Sequence, residues 1–222
     1  MNYEKDTKNA YRNESKAKVY QDQYIIGMKW ARFTMWRQRR LMERILNECK
    51  LRELDKVLDI TCGTGFIGDL ISKTSAEIFA SDISLEMMDL ARGAYRMGNF
   101  HGFVQCDITE NPFRRGLFTC VIVLALMHRL PKEIREKVLN EITQLSNKFI
   151  IISYSLENPP QKIKQWLLKK IQPSHIPAPS SLSFQEITNE LTSHGLVVRK
   201  IHHVVYFLSA KVVFLLEKDS KT

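Results

Sequence analysis

Short apolar runs alternate with amphipathic segments along most of the chain, and this pattern predicts strands that alternate with helices. The apolar runs fit strands at residues 57–60, 76–80, 102–106, 118–125 and 149–154. The segments between them fit helices at residues 66–72, 85–96 and 132–145. The fourth and fifth runs are apolar almost throughout, as is typical of strands buried on both faces. This alternation favours a parallel sheet with helices on both faces.

The two ends of the chain differ from this middle part. Residues 1–20 are polar and predict a loosely held arm, whereas residues 22–49 carry apolar positions near the helical period. Near the other end, a predicted helix over residues 184–193 is followed by strands at residues 196–206 and 212–217. The short connection between these strands favours an antiparallel pair. We therefore predict an α/β fold with a seven-stranded, mostly parallel sheet and a C-terminal antiparallel hairpin.

The most informative local pattern is the run from Lys56 to Gly65, which reads KVLDITCGTG. A short apolar strand reaches an acidic residue, and a loop with two glycines then leads into a helix. Glycines let the backbone approach a ligand closely and adopt φ values that other residues resist. The N-terminus of the helix turns free N–H groups toward any negative group of that ligand. The run therefore predicts a site for a nucleotide-like ligand.

This run resembles the first motif of class I S-adenosylmethionine-dependent methyltransferases, which usually reads V-L-D-x-G-C-G-T-G. Thr61 stands where that motif has its first glycine, and the other positions match. The resemblance covers about residues 50–155. It implies a Rossmann-like fold, S-adenosylmethionine as the cofactor and methyl transfer as the reaction. The residues of this run that it implies in cofactor binding are Asp59, Thr61, Gly63, Thr64 and Gly65.

A second pattern overlaps the same loop. The residues from Gly63 to Gly68 also fit the G-x-G-x-x-G dinucleotide fingerprint, with Asp82 near the distance expected of a ribose-binding acid. However, Asp59 stands inside the strand end, where a dinucleotide fold usually keeps an apolar residue. The chain of 222 residues is also too short for the second domain that most dehydrogenases carry. These features favour the methyltransferase interpretation.

Three acidic residues follow three successive predicted strands, and the cofactor offers a chemical partner for each. Asp59 is expected to accept N–H groups of the glycine loop or the cofactor's ammonium group. Asp82 is expected to bind the ribose hydroxyls, the alternative being an N-cap, although Ser84 can cap the next helix. Asp107 begins a D-x-x-x-x-P-F stretch, whose resemblance to the family pattern implies a contact with the adenine amine. The residues expected to pack on adenine are Ile83 and Ile108.

The fourth predicted strand departs from the family pattern and then returns to it. Relatives usually have F-D at its start, whereas this chain has Phe118 and Thr119. The run from Leu124 to Pro131 resembles the family's V-L-H-H-L-P, which implies that Leu124 binds the cofactor and that His128 lies near the transferred methyl group. His128 is the candidate general base for a hydroxyl acceptor, because the pKa of histidine lies near neutral pH. A packing role is the alternative, and an amine acceptor would need no strong base.

Composition narrows the class of protein. A hydrophobic fraction of 44% with 26% charged residues is ordinary for a globular domain. No apolar run approaches the length of a membrane span, and the polar N-terminus does not fit a signal peptide. The four cysteines show no metal-ligand spacing with the histidines. We therefore predict a cytoplasmic protein with reduced thiols and no metal.

The net charge of +9 is unevenly distributed. Residues 1–50 have a net charge of +6 and residues 111–222 one of +8, whereas residues 51–110 have one of −5. The family resemblance assigns the acceptor to the two basic parts, which fits an anionic acceptor or an anionic surface, and the equal alternative is that these charges belong to solvated helix faces. Residues 160–171 add a basic amphipathic helix with a tryptophan, which fits either a lid or peripheral contact with an anionic membrane.

These observations predict a methyltransferase for a small or amphiphilic acceptor, such as a quinone-like, lipid-headgroup or phosphate-bearing metabolite. The first alternative is an RNA methyltransferase, although no separate RNA-binding module is visible. The second is a non-catalytic S-adenosylmethionine-binding module, which Thr61 and Thr119 leave open. The predicted single domain, residues 1–222, has four parts: an N-terminal arm and helices at 1–50, a cofactor-binding core at 51–155, an acceptor-side lid at 156–195 and a C-terminal hairpin at 196–222.

Overall fold

The computed structural model describes residue 18 and residues 29–95, 98–157, 181–206 and 209–218. The strands in these residues are β1 Lys56–Ile60, β2 Glu77–Asp82, β3 Phe100–Gln105, β4 Phe118–Val123, β5 Ser146–Ser155, β6 Leu196–His203 and β7 Lys211–Lys218. The α-helices are α1 Lys29–Cys49, α2 Gly68–Ile71, α3 Leu85–Ala91, α4 Lys132–Leu145 and α5 Phe184–Ser193. Single turns of 3-10 helix cover Arg92–Ala94, Ile108–Glu110 and Met127–Arg129.

The strands form one sheet in the order β3-β2-β1-β4-β5-β7-β6. Strands β1 to β5 are parallel to their neighbours, whereas β7 pairs antiparallel with both β5 and β6. The predicted parallel sheet with a C-terminal antiparallel hairpin is therefore confirmed. The direction of strand addition reverses between β1 and β4, and ligands of open α/β sheets bind at the carboxyl ends of the strands beside such a reversal.

The sheet is covered on both faces because its central strands are apolar on both. On one face, β1 and β2 pack against α1, α2 and α3 through Val57, Ile78, Ile45, Ile71 and Met88. On the other face, the same strands and β4 pack against α4 and α5, with a second apolar cluster that includes Leu58, Val121, Leu139 and Ile187. Burial on both faces explains why these strands read as continuous apolar runs.

Helix α1 connects the two edges of the sheet. It ends at Cys49, shortly before β1 begins at Lys56, so its C-terminal end lies at the amino edge of the strands. Arg39, near its middle, donates hydrogen bonds to the carbonyl of Phe66 and to Asp69, which both follow β1. Each residue of an α-helix advances the axis by about 1.5 Å, so the first turns of α1 extend past the loop that follows β1. These turns therefore lie at the carboxyl edge of the sheet.

Several predicted boundaries differ from the structure. The predicted helix over residues 66–72 is only α2, because the loop before it contains Gly65 in a left-handed conformation, with φ 76°. The predicted helix over residues 85–96 is α-helical only to Ala91 and then tightens into the 3-10 turn Arg92–Ala94. The predicted basic helix at residues 160–171 lies outside the described residues.

Candidate active site

The loop after β1 takes its shape from three residues in the left-handed region. Thr61, Gly63 and Gly65 have φ values of 57°, 56° and 76°. Glycine adopts this conformation without strain, whereas a β-branched residue such as threonine is an outlier there. Thr61 stands where the family motif has a glycine, so this chain keeps the backbone conformation of a glycine with a threonine side chain. Its hydroxyl is buried and has no hydrogen-bond partner among the described residues.

The glycines of the loop serve two different purposes. A Cβ atom added to Gly65 would lie 2.6 Å from the Cβ of Ala94, and one added to Gly68 would lie 2.9 Å from the carbonyl oxygen of Ala94. These two glycines therefore let the loop pack against the 3-10 turn Arg92–Ala94. A Cβ added to Gly63 would meet no atom of the described residues within 4 Å. Of the predicted contacts, Gly63 thus borders open space, whereas Gly65 is buried against protein.

Asp82, at the end of β2, holds the glycine loop in position. Its carboxylate accepts hydrogen bonds from the backbone N–H of Gly63 at 2.9 Å and from that of Ser84 at 3.0 Å. Ser84 caps α3 by accepting the N–H of Met87, as predicted. Burial raises the pKa of Asp82, while the backbone hydrogen bonds lower it. Each carboxylate oxygen can accept more than one hydrogen bond, so these contacts are compatible with ribose hydroxyls as further donors.

Asp59 has a different partner from the one that the sequence predicts. We expected its carboxylate to accept N–H groups of the glycine loop, but in the structure it accepts a hydrogen bond of 2.6 Å from the hydroxyl of Tyr95. The loop N–H of Gly63 goes to Asp82 instead. The pKa of Asp59 is raised to about 7, mainly by burial, with the Tyr95 hydrogen bond lowering it and the charge of Asp82 raising it. The interaction with a cofactor ammonium group stays a prediction.

Neither Asp59 nor Asp82 forms an ion pair with a basic side chain within the described residues. Only 2% of Asp59 and 8% of Asp82 is exposed, so little solvent screens their charges. The thiol of Cys62, which lies between them in the loop, has a pKa raised well above its usual value by burial and by both carboxylates. The site is therefore electrostatically negative and suits a ligand with a positive charge.

The other predicted cofactor residues surround the same edge of the sheet. The Oδ1 atom of Asp107 accepts hydrogen bonds from the backbone N–H and the hydroxyl of Thr109, at 3.0 and 2.8 Å. Ile108 is buried in the core, whereas Ile83, Thr64 and Leu124 are half-buried. Because β1 to β4 are parallel, the structure brings the ends of these strands together at one edge. Ligand contacts by these residues stay predictions.

His128 lies in the 3-10 turn Met127–Arg129 that follows β4. Burial lowers its pKa to about 4, and the positive charges of Arg129 and Lys211 act in the same direction. Its imidazole is therefore neutral at physiological pH and able to accept a proton, although its basicity is low. At the other end of β4, Thr119 donates a hydrogen bond of 3.0 Å to Asp55, so the residue that departs from the family pattern is far from this edge.

Sequence reasoning missed two contacts of the loop. Tyr95 is 36 residues from Asp59, and Arg39 is 27 residues from Phe66. Neither residue belongs to a local motif. Such pairs are not recognisable from the sequence, because packing of the helices on the sheet creates both contacts.

Comparisons with known proteins agree with this geometry. Residues 57–148 match the family model described as a methyltransferase domain. A comparison with curated protein sequences found no match. Many solved structures match the fold. The magnesium protoporphyrin IX methyltransferase of Synechocystis PCC 6803, solved with bound S-adenosylhomocysteine, is 16% identical with a TM-score of 0.76, and the alignment covers 94% of this chain and 97% of that one.

Two other solved structures extend the comparison. A chain in the complex of the Haloferax volcanii Trm112 methyltransferase activator with a methyltransferase is 15% identical, with a TM-score of 0.69 and coverage of 97% and 99%. Human N-acetylserotonin methyltransferase, solved with S-adenosylmethionine, is 14% identical with a TM-score of 0.67, and the alignment covers 99% of this chain and 61% of that one. At these identities the structures establish the fold, and the family match covers the glycine loop and its acids. Residues 57–148 therefore match a methyltransferase domain, and the chain has the fold of structures solved with S-adenosylmethionine or S-adenosylhomocysteine.

Proposed function

We propose that this protein transfers a methyl group to a small or amphiphilic, anionic acceptor, such as a quinone-like, lipid-headgroup or phosphate-bearing metabolite. The observation that carries this proposal is the outer face of α1. Trp30, Phe33 and Trp36 are 40%, 43% and 52% exposed on this face. Their ring centroids follow one another at 5.7 and 6.2 Å. Contiguous exposed aromatic side chains are typical of a binding surface.

Arginines accompany these rings. The guanidinium of Arg40 lies 5.9 Å from the ring centroid of Trp36, within the range of a cation–π contact. Beside this pair is an open groove of about 320 Å³, lined by Trp36, Arg37, Arg40, Glu43, Arg44 and Asn47. Three basic side chains against one acid give this groove a positive charge. An acceptor with an apolar body and an anionic group matches both features.

The location of the N-terminal part of this face supports the same proposal. The first turns of α1, which carry Trp30 and Phe33, extend past the glycine loop at the carboxyl edge of the sheet, where the cofactor residues lie, and the groove continues from there along the helix. In two of the structural neighbours, the acceptors that their names give are magnesium protoporphyrin IX and N-acetylserotonin. These names support a small-molecule acceptor for this chain as well.

The cofactor supplies an activated methyl group, and the residues present fit its parts. Asp82 would bind the ribose hydroxyls, and Asp107 the adenine amine, with Ile83 and Ile108 on the ring. Gly63 provides backbone next to open space, and Asp59 provides negative charge for the ammonium group. The remaining residues proposed to line the cofactor are Thr61, Thr64, Gly65 and Leu124.

His128 is the proposed general base if the acceptor is a hydroxyl. Its neutral imidazole can accept a proton, and its pKa of about 4 predicts that this ability is constant above about pH 5. Replacement of His128 by alanine should then lower kcat by about 10²–10⁴-fold and leave the affinity for S-adenosylmethionine unchanged. A kcat within a few-fold of the original would assign His128 to packing and favour an amine acceptor.

The aromatic and arginine face also supports peripheral contact of a cytoplasmic protein with an anionic membrane. None of the helices in the described part of the chain is long and apolar enough to cross a membrane. We further propose that residues 51–155 form the cofactor-binding core of a single domain, with residues 1–50 and 156–195 on the acceptor side and the hairpin at 196–222.

One observation favours a second candidate function. Aromatic rings in sequence with arginines also bind successive bases of single-stranded nucleic acid. An RNA methyltransferase is therefore the alternative. A non-catalytic S-adenosylmethionine-binding module is a third candidate, which measured methyl transfer would exclude.

The experiment that separates these candidates supplies methyl-labelled S-adenosylmethionine and a cell extract divided into lipid, small-molecule and RNA pools. We expect label in the lipid or small-molecule pool. Label confined to RNA would overturn the proposed acceptor class, and no label in any pool would favour the non-catalytic module.

A matched pair of variants tests the proposed acceptor face. Arg37→Gln with Arg40→Gln should raise the acceptor KM about 30-fold, because each basic residue near an anionic surface contributes about 1 kcal/mol. Arg114→Gln with Arg115→Gln removes the same charge from exposed residues before β4, at the opposite edge of the sheet. If the two double variants change the acceptor KM equally, the net charge of the protein determines KM and the position of the arginines does not.

A further inference from the structure

Tyr95 connects the glycine loop to the aromatic residues behind it. Its ring is 5% exposed, stacks on Phe100 at 4.8 Å and meets the edge of Phe103 at 5.5 Å. Ala94, the preceding residue, is the residue against which Gly65 and Gly68 pack. The tyrosine hydroxyl is therefore fixed relative to the loop, where it donates a hydrogen bond to Asp59 at 2.6 Å and also interacts with the thiol of Cys62.

Asp59 is the group that this contact orients. It is buried at the end of β1, and the charged groups that face it are Asp82 at the end of β2 and, when ionised, Cys62, Tyr95 and Cys120 of β4. All of these would be negative when charged, so Asp82 disfavours ionisation of Asp59. The hydrogen bond from Tyr95 acts in the opposite direction, because it stabilises the carboxylate.

We propose that Tyr95 is a positioning residue of the cofactor site, which keeps the Asp59 carboxyl oriented and ionised beneath the glycine loop so that the site favours a positively charged cofactor. This inference rests on the proposed function of Asp59 in cofactor binding. S-adenosylmethionine carries a sulfonium, an ammonium and a carboxylate and is a net cation, whereas S-adenosylhomocysteine lacks the sulfonium charge. A buried carboxylate attracts a cation more strongly than an exposed one does, since the local dielectric constant is low.

The affinity for the cofactor should depend on pH through the ionisation of Asp59. With a pKa of about 7 for Asp59, acidification below neutral pH protonates the carboxyl and removes its attraction for the cofactor. The affinity for S-adenosylmethionine should therefore fall as the pH falls through about 7, and more steeply than the affinity for S-adenosylhomocysteine. Replacement of Tyr95 by phenylalanine removes the hydrogen bond, so the fall should begin at a higher pH.

The test measures binding of S-adenosylmethionine and S-adenosylhomocysteine by calorimetry between about pH 6 and about pH 9, without any acceptor. We expect Tyr95→Phe to weaken binding of S-adenosylmethionine about fivefold at pH 7, as a rise of about one pKa unit implies, and to recover the original affinity near pH 9. The matched control is Tyr154→Phe, since Tyr154 is also buried and also donates to a buried carboxylate, Glu190, at 3.3 Å. That variant should keep the original pH profile.

Two results would overturn the inference. One is a Tyr95→Phe profile that coincides with that of the original protein, and the other is an equal loss of affinity at every pH, which would reduce Tyr95 to packing. If Tyr95→Phe does not fold, Asp59→Asn provides the test. This variant should abolish the fall in affinity for S-adenosylmethionine near pH 7, and a fall that remains would also overturn the inference. No acceptor takes part in these measurements, so their outcome is independent of whether the proposed acceptor class is correct.

Discussion

Two buried carboxyl groups in this protein accept a hydrogen bond from a buried tyrosine, yet their surroundings differ in charge. Glu190 of α5 accepts a hydrogen bond from Tyr154 at 3.3 Å and forms an ion pair with Arg135 of α4 at 3.0 Å. Asp59 of β1 accepts a hydrogen bond from Tyr95 at 2.6 Å, and its charged neighbour is the acidic Asp82. The first carboxylate is neutralised by a basic side chain, whereas the described residues supply none to the second.

This difference separates a structural ion pair from a ligand site. Arg135 also donates a hydrogen bond to the carbonyl of Leu130, so the Glu190 cluster holds α4, α5 and the segment after β4 together. A buried charge without a partner lowers stability, and proteins keep such charges mainly where function requires them. Asp59 and Asp82 therefore lower the stability of the unliganded fold at the place where a cationic cofactor is expected.

The largest expected effect on stability comes from removing the ion pair between Arg135 and Glu190. Arg135→Met would leave Glu190 buried without its cation, and we expect a loss of about 3–5 kcal/mol in the free energy of unfolding by urea. Lys132→Met is the control on the same helix, since its pair with Glu136 is exposed and should contribute less than about 1 kcal/mol. Equal effects of the two substitutions would contradict a special contribution of the buried pair.

Replacing Asp59 by an uncharged residue should have the opposite effect and raise the free energy of unfolding. Its pKa is 3.8 in its usual state and about 7 in the fold, so between these values the folded state holds a proton that the unfolded state has released. Stability therefore falls as the pH rises from about 4 to about 7, and Asp59→Asn should remove this loss. We expect a gain on the order of 2–4 kcal/mol near pH 8, which disappears near pH 4.

Thermal unfolding at both pH values measures this gain, with Asp89→Asn on the exposed side of α3 as the control. A gain that is the same at both pH values would mean that the charge of Asp59 is not its source. The same variant should bind S-adenosylmethionine more weakly, which would separate stability from function.

Asp82 is, like Asp59, a buried carboxylate that forms no ion pair with a basic side chain of the described residues. Asp82→Ala removes the acceptor of the Gly63 N–H and the proposed ribose ligand, so binding of S-adenosylmethionine and S-adenosylhomocysteine should weaken by about 1.5–3 kcal/mol. Calorimetric titration measures both affinities, and Asp89→Ala should leave them unchanged. If Asp82→Ala affects neither ligand, the carboxylate only holds the loop.

The smallest expected effect concerns Thr61, in the loop that these carboxylates support. A left-handed conformation costs a side chain about 1–2 kcal/mol, and glycine loses about 0.5–1 kcal/mol through the entropy of the unfolded chain. Thr61→Gly should therefore raise the free energy of unfolding by about 0.5–1 kcal/mol. Thr64 lies in the same loop without a positive φ, so Thr64→Gly should lower stability by a similar amount. If both variants lose stability, the contacts of the Thr61 side chain stabilise the fold by more than its left-handed conformation costs.

The sequence determined the order of strands and helices, because each buried strand is a continuous apolar run and each run is followed by turn residues. It also determined that Asp59, Asp82 and Asp107 meet at one edge, because carboxyl ends of parallel strands lie together. The sequence does not determine helix boundaries such as the start of α2, because the left-handed residues before it include Thr61, which no glycine marks.

Only the tertiary structure decided which partner each of these acids has. The pairing of Asp59 with Tyr95 depends on how the 3-10 turn Arg92–Ala94 packs against the glycine loop, and no local pattern encodes that contact. The same packing decided that Gly65 faces protein while Gly63 faces open space. Local sequence specifies backbone conformation and periodicity, whereas the charge and hydration of a side chain depend on residues that the fold brings from elsewhere in the chain.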